Sequence, residues 1–104
     1  MRAHCLLAFM LTLSAGAAPA ATPFADGDAA AGKMLNDRDC VACHARQFDG
    51  DAGRIYTRAD RRVHNPEQLL AQVRYCNAQL GSGYFPDEEA HVAAYLNKQY
   101  YHFE

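Results

Sequence analysis

Cys40-Val41-Ala42-Cys43-His44 is the stretch on which the reading of this chain turns. Two thiols three positions apart can each form a thioether with one haem vinyl group, and the adjacent imidazole then falls beneath the iron as an axial ligand. The spacing therefore predicts one covalently attached haem, haem c, on Cys40 and Cys43, with His44 as the proximal ligand. A structural zinc site would ask for a second pair of cysteines, which the sequence does not supply. A thioredoxin-like redox pair would ask for a βαβ pattern, whereas the flanking sequence reads as helical.

Upstream, the first twenty residues read as a removable export signal. Arg2 gives a positive start, Leu6 to Leu13 is an apolar stretch too short to span a bilayer, and Ala18-Pro19-Ala20 supplies a small-x-small cleavage pattern. Acylation on Cys5 is disfavoured because that residue precedes the apolar stretch instead of closing it. The expected mature domain is residues 21–104, too short for two domains, and its expected location is the periplasm. A chain this small buries a thin core and gains from a staple, which a buried haem would provide. Of the four cysteines, Cys5 would leave with the signal. The remaining three are an odd count that rules out full pairing in an oxidising compartment. Net charge is −2, and nothing in its distribution suggests a nucleic-acid partner.

Periodicity around the motif predicts an all-α domain of about three helices. Ala21 to Gly27 reads as a loose leader. Asp28 caps a short helix from Ala29 to about Asn36, in which Met34 and Leu35 offer apolar contact and Met34 packs in the core. Ala45 to Val63 shows no sustained period and reads as a long loop. Asn65 as N-cap, Pro66 at the first helical position and Gln68 completing a capping box start the best-signalled helix, which ends at Gly81. Leu69, Val73, Cys76 and Leu80 form its inward stripe. Asp87 starts a third helix running to about Asn97, with Val92, Tyr95 and Leu96 inward, and the aromatic tail Tyr100-Tyr101-His102-Phe103 packs back on the domain.

The helix before Cys40-Val41-Ala42-Cys43-His44, together with the terminal His91-Val92-Ala93-Ala94-Tyr95-Leu96-Asn97, resembles the monohaem class I cytochromes c. The resemblance covers most of the mature chain. It implies that the first and last helices cross beside the haem, near Gly32 and Tyr95. The family's usual distal ligand is a downstream Met, and no such residue is present. Through Arg61-Arg62, Cys76-Asn77, Leu80-Gly81 and Tyr95-Leu96 the chain is similar to the subgroup of the sphaeroides haem protein and the cytochromes c double-prime with a detachable ligand. There the distal ligand precedes a disulfide-forming Cys. The matching ligand position here is Tyr75, and the second Cys is absent.

Four possibilities remain for the distal side: Cys76, His64, Tyr75, or no protein ligand. Cys76 is the leftover thiol on the buried stripe and is the favoured metal ligand beside His44. His64 has the better donor chemistry but a poor position before the helix cap. Tyr75 lies about a hundred degrees from Cys76 around the helix. His91 and His102 read as solvated. Arg54, Arg58, Arg61 and Arg62 crowd one loop and suit haem propionates or a solvated face. The expected function is one-electron transfer with redox partner proteins in the periplasm or inner membrane, at a lower potential than a Met-ligated carrier. The alternative is binding or sensing of a small gas at a labile distal position. A thiolate-haem enzyme acting on sulfur compounds is the least favoured, so the chain reads as a carrier and not a catalyst.

Overall fold

The computed structural model describes Gly16 and residues 21–104. The export-signal reading rests on Arg2, Cys5, Leu6 to Leu13 and Ala18-Pro19-Ala20, all outside the described residues. Among the described residues the chain is all-α. It forms α1 (Ala29–Asp39), α2 (Val41–Gln47), α3 (Arg54–Thr57), α4 (Pro66–Leu80) and α5 (Pro86–Leu96), continued by a π-helical turn over Asn97–Tyr101. No helix among the described residues is long and apolar enough to cross a membrane.

The expectation of about three helices is thus too few, because the motif itself starts α2, which runs into the stretch read as a long loop, and that stretch also contains α3. Ala42, Ala45, Arg46 and Gln47 are good helix formers, but seven residues and then four are too short to show a period. The first helix also runs past Asn36 to Asp39, with only Cys40 separating it from α2.

Local chemistry accounts for the helix boundaries. The Asp28 carboxylate accepts from the backbone N–H groups of Ala30 and Ala31 at 2.9 and 3.2 Å, satisfying two orphan donors of α1. Asn65 Oδ1 accepts from the Gln68 N–H at 2.8 Å. The return bond of the expected capping box is displaced by one residue, because Gln68 Oε1 accepts from the N–H of His64 at 2.9 Å. Gly81 closes α4 in the left-handed conformation at φ 61°, which costs a glycine little. α5 begins at Pro86, one residue earlier than expected, and Glu88 Oε1 accepts from the Phe85 N–H at 3.1 Å.

The core is the set Phe24, Val63, Leu69, Leu70, Val73, Val92, Ala93 and Leu96. α1 lies directly on α5 at Gly32, where an added Cβ would sit 1.9 Å from the backbone oxygen of His91. Tyr95 is half-buried beside that crossing. Three expectations fail on packing grounds. The leader is not loose, because Phe24 is buried in the core and Gly27 sits against the backbone of Ala90. Met34 is 74% exposed and so is not a core residue. Leu80, placed on the inward stripe of α4, is likewise exposed at 54%. The tail does pack back: Asn97 brackets Phe103 through both its side-chain oxygen, at 2.7 Å from the Phe103 N–H, and its amide, at 3.1 Å from the Phe103 oxygen.

Candidate functional site

A cleft of about 280 Å³ opens where α1 hands over to α2, and Cys40, Cys43 and His44 all line it. α4 contributes Leu69, Val73, Cys76 and Leu80 to its walls, and α5 contributes Val92 and Leu96. A second chamber of about 300 Å³ shares His44, Ile55, Tyr56, Gln72, Cys76 and Tyr101 with the first, and adds Arg58 and Arg62. The two form one slot, apolar at one end and cationic at the other.

His44 is half-buried, and burial lowers its pKa below the ordinary value, so the imidazole is neutral at pH 7. Its Nδ1 lies 3.0 Å from the hydroxyl of Tyr56, and that hydroxyl donates to Oδ1 of the buried Asn36 at 3.5 Å. The tautomer sets the direction of the His44 contact: with the proton on Nδ1, the Tyr56 hydroxyl accepts from His44, donates to Asn36, and Nε2 keeps a free lone pair. Tyr56 is wedged between Tyr100 at 4.9 Å and Tyr101 at 6.0 Å between ring centroids. Burial pushes its hydroxyl far above the ordinary value, so it stays protonated.

The cysteines differ in surroundings. Burial, reinforced by the Asp39 charge, raises the Cys40 thiol to about 11, which keeps it a neutral thiol at pH 7. Cys43 Sγ accepts from Arg46 Nη2 at 3.1 Å. Cys76 is half-buried, lines both chambers, and accepts from the Gln72 amide at 3.3 Å. None of Cys40, Cys43 and Cys76 is in a disulfide.

At the cationic end, Nε of Arg58 is buried with no hydrogen-bond partner; Nε of Arg61 is buried and unpartnered too, although Arg61 lines neither chamber. The nearest carboxylate to Arg58, that of Asp60, is 3.7 Å away and mostly solvated. Both arginines act on Tyr101, whose hydroxyl burial raises and whose neighbouring Arg61 and Arg58 charges pull back down. Buried guanidinium donors left unsatisfied are costly and call for an anionic acceptor.

The structure therefore brings Cys40, Cys43, His44 and Cys76 to one slot. His64 is exposed and lines neither chamber, since only its backbone N–H is engaged, at the start of α4. Tyr75 lines the first chamber at its mouth, 60% exposed. His91 is not merely solvated, because its Nδ1 accepts from the Asp28 N–H at 2.9 Å and ties α5 to the cap of α1. His102 is exposed, as expected. Tyr56, Asn36 and Gln72 escape a reading of the sequence. The contacts of Tyr56 are non-local, and a buried Asn and a Gln give no hydrophobic signal. No family model, curated protein or solved structure matches this chain.

Proposed function

We propose that this protein is a periplasmic monohaem c-type cytochrome of the class I kind that performs one-electron transfer with a non-Met distal side. The observation that carries the reading is the joint placement of Cys40, Cys43 and His44 on the wall of a slot whose other end is lined by Arg58, with its unpartnered buried Nε, and by Arg62. The donor set suits a haem in three respects. Two thiols can add across the two vinyl groups, each sulfur bonding one carbon while its hydrogen goes to the other. A neutral imidazole with Nδ1 protonated can offer Nε2 to iron. Two guanidinium groups can take the propionate carboxylates.

A haem held this way supplies reversible one-electron chemistry. The chain does the rest. Leu69, Val73, Val92 and Leu96 exclude water from the apolar end of the slot. Arg58 and Arg62 would neutralise carboxylate charge that would otherwise be buried alone. Cys76, which lines the slot with the Gln72 amide on its sulfur, would be the distal donor. An anionic thiolate donates charge and stabilises the oxidised state, so the potential lies below that of a Met-ligated carrier. The partners are redox proteins of the periplasm or inner membrane.

Co-expression with a haem-attachment system tests the reading through intact mass and absorption. The exported product gains the mass of one haem, and the Cys40→Ala/Cys43→Ala variant gains none. A colourless wild-type product of unmodified mass refutes the proposal. A second reading, gas binding at a labile distal position, draws on the exposure of Tyr75 and Leu80 at the mouth of the slot. Carbon monoxide added to the reduced protein separates the two, because a prompt spectral shift marks an accessible site and an unchanged spectrum marks a saturated carrier.

A further inference from the structure

The side chain that governs His44 comes from α3, a four-residue helix inside the segment read from sequence as a loop. A metal-binding imidazole is oriented and tuned by what its other ring nitrogen touches, and the partner is ordinarily a carboxylate, a backbone carbonyl or water. Here the partner is a tyrosine hydroxyl at 3.0 Å. The rings of His44 and Tyr56 meet edge to face at 76°, with centroids 5.5 Å apart. Tyr100 and Tyr101 hold the Tyr56 ring from the C-terminal π-helical turn, so the hydroxyl is fixed before any ligand is bound. Asn36 Oδ1, buried within α1, accepts the hydroxyl proton and so orients its lone pairs toward His44.

Resting on the haem-binding reading above, we propose that Tyr56 is the positioning residue for the proximal ligand, with the chain His44 Nδ1–H to Tyr56 hydroxyl to Asn36 Oδ1 setting the basicity of the imidazole and thereby the redox equilibrium. An accepted Nδ1–H makes the imidazole a stronger donor, which favours the oxidised form. Loss of the acceptor weakens that donation and favours the reduced form. No proton leaves the chain in either state.

Tyr56→Phe keeps the ring and its packing and removes only the oxygen. In the haem-loaded protein it shifts the equilibrium about tenfold toward the reduced form, the lower end of losses on removing such partners. For one electron that is a rise of 59 mV in the midpoint potential. Asn36→Ala, which removes only the second link, shifts it in the same direction by less. Potentiometric titration reads both, and the unchanged absorption bands of the loaded variants show that coordination is intact. A Tyr56→Phe equilibrium within twofold of wild type, or shifted toward the oxidised form, overturns the inference while leaving the haem-binding reading standing. Should Tyr56→Phe fail to accumulate, an unmoved Asn36→Ala potential overturns it equally. A wild-type protein without covalent haem overturns the parent reading and this one with it.

Discussion

Gly32→Ala tests the helix crossing on which the site is built. The added Cβ would lie 1.9 Å from the His91 backbone oxygen, 2.4 Å from its carbonyl carbon and 2.9 Å from the Val92 nitrogen, where ordinary contact begins at 3.4 Å. All three obstacles are backbone, so no side chain can swing aside, and α1 and α5 must part by about 1.5 Å. A gap of even 0.5–1 Å forfeits roughly a quarter to a half of a contact's dispersion energy, so Val92, Ala93 and Leu96 lose much of their packing along the crossing. Overpacking of this kind costs up to about 3 kcal/mol. Replacing a helical glycine by alanine returns about 1 kcal/mol. The net is about 2 kcal/mol, which lowers Tm by roughly 8–16 °C in a domain of this size. Thermal unfolding followed by far-ultraviolet circular dichroism, on preparations of equal haem content, measures it. A variant melting at or above wild type would refute the reasoning, since the helices would then be free to part without loss.

Other perturbations probe the site and its frame. Cys76→Ala alters the ferric absorption and paramagnetic resonance spectra of the loaded protein, whereas His64→Ala, on an exposed residue outside the slot, leaves both unchanged. Identical spectra for Cys76→Ala and wild type would remove Cys76 as a ligand. Leu69→Ala, at 1% exposure, destabilises by about 2–5 kcal/mol in urea titration, and a loss under 1 kcal/mol would contradict its place in the core. Asp39 accepts from Arg38 and from the Tyr84 hydroxyl, and these bonds hold its carboxyl below the ordinary 3.8. A depressed folded pKa gives stability that is present above the unfolded value and lost as pH falls through the folded one. Asp39→Asn therefore flattens the fall of Tm below pH 4, and an unaltered slope would count against that role.

What was legible in the sequence follows from how local each signal is. Asn65, Pro66 and Gly81 mark α4 because caps and left-handed glycines act within a turn. Asp28 marks α1 for the same reason. The face of α1 was misread because it is set by the close approach at Gly32, and the residue one turn on along that face is the polar Asn36. Met34 lies two positions from Gly32, about 200° around the helix, and so points outward. Hydropathy cannot report a face made of glycine and asparagine. Phe24 gave no period because it is a single anchor in an irregular segment. The grouping of Cys40, Cys43 and His44 was legible because their spacing is local, and the structure brings all three to one cleft. Its supporting shell was not, because Tyr56 and Asn36 meet His44 only through tertiary packing.

The same misreading bears on the electrostatics of the proposed site. With Met34 on the outer face of α1, lining a separate groove beside Phe85 and His91, Cys76 is the one sulfur besides the attachment pair to line the slot among the described residues. On the proposed reading both axial donors would favour the oxidised form, Cys76 as an iron-bound thiolate and His44 through the hydrogen bond at Nδ1. Arg58 and Arg62, which line the slot, would work against them, because nearby positive charge favours gain of an electron. Propionate carboxylates paired with these arginines would cancel most of that opposing field, as well as satisfy the stranded Nε of Arg58. On the proposed reading a low potential and the arginines would therefore be linked: the axial donors could dominate only where a bound group neutralised the cationic end of the slot.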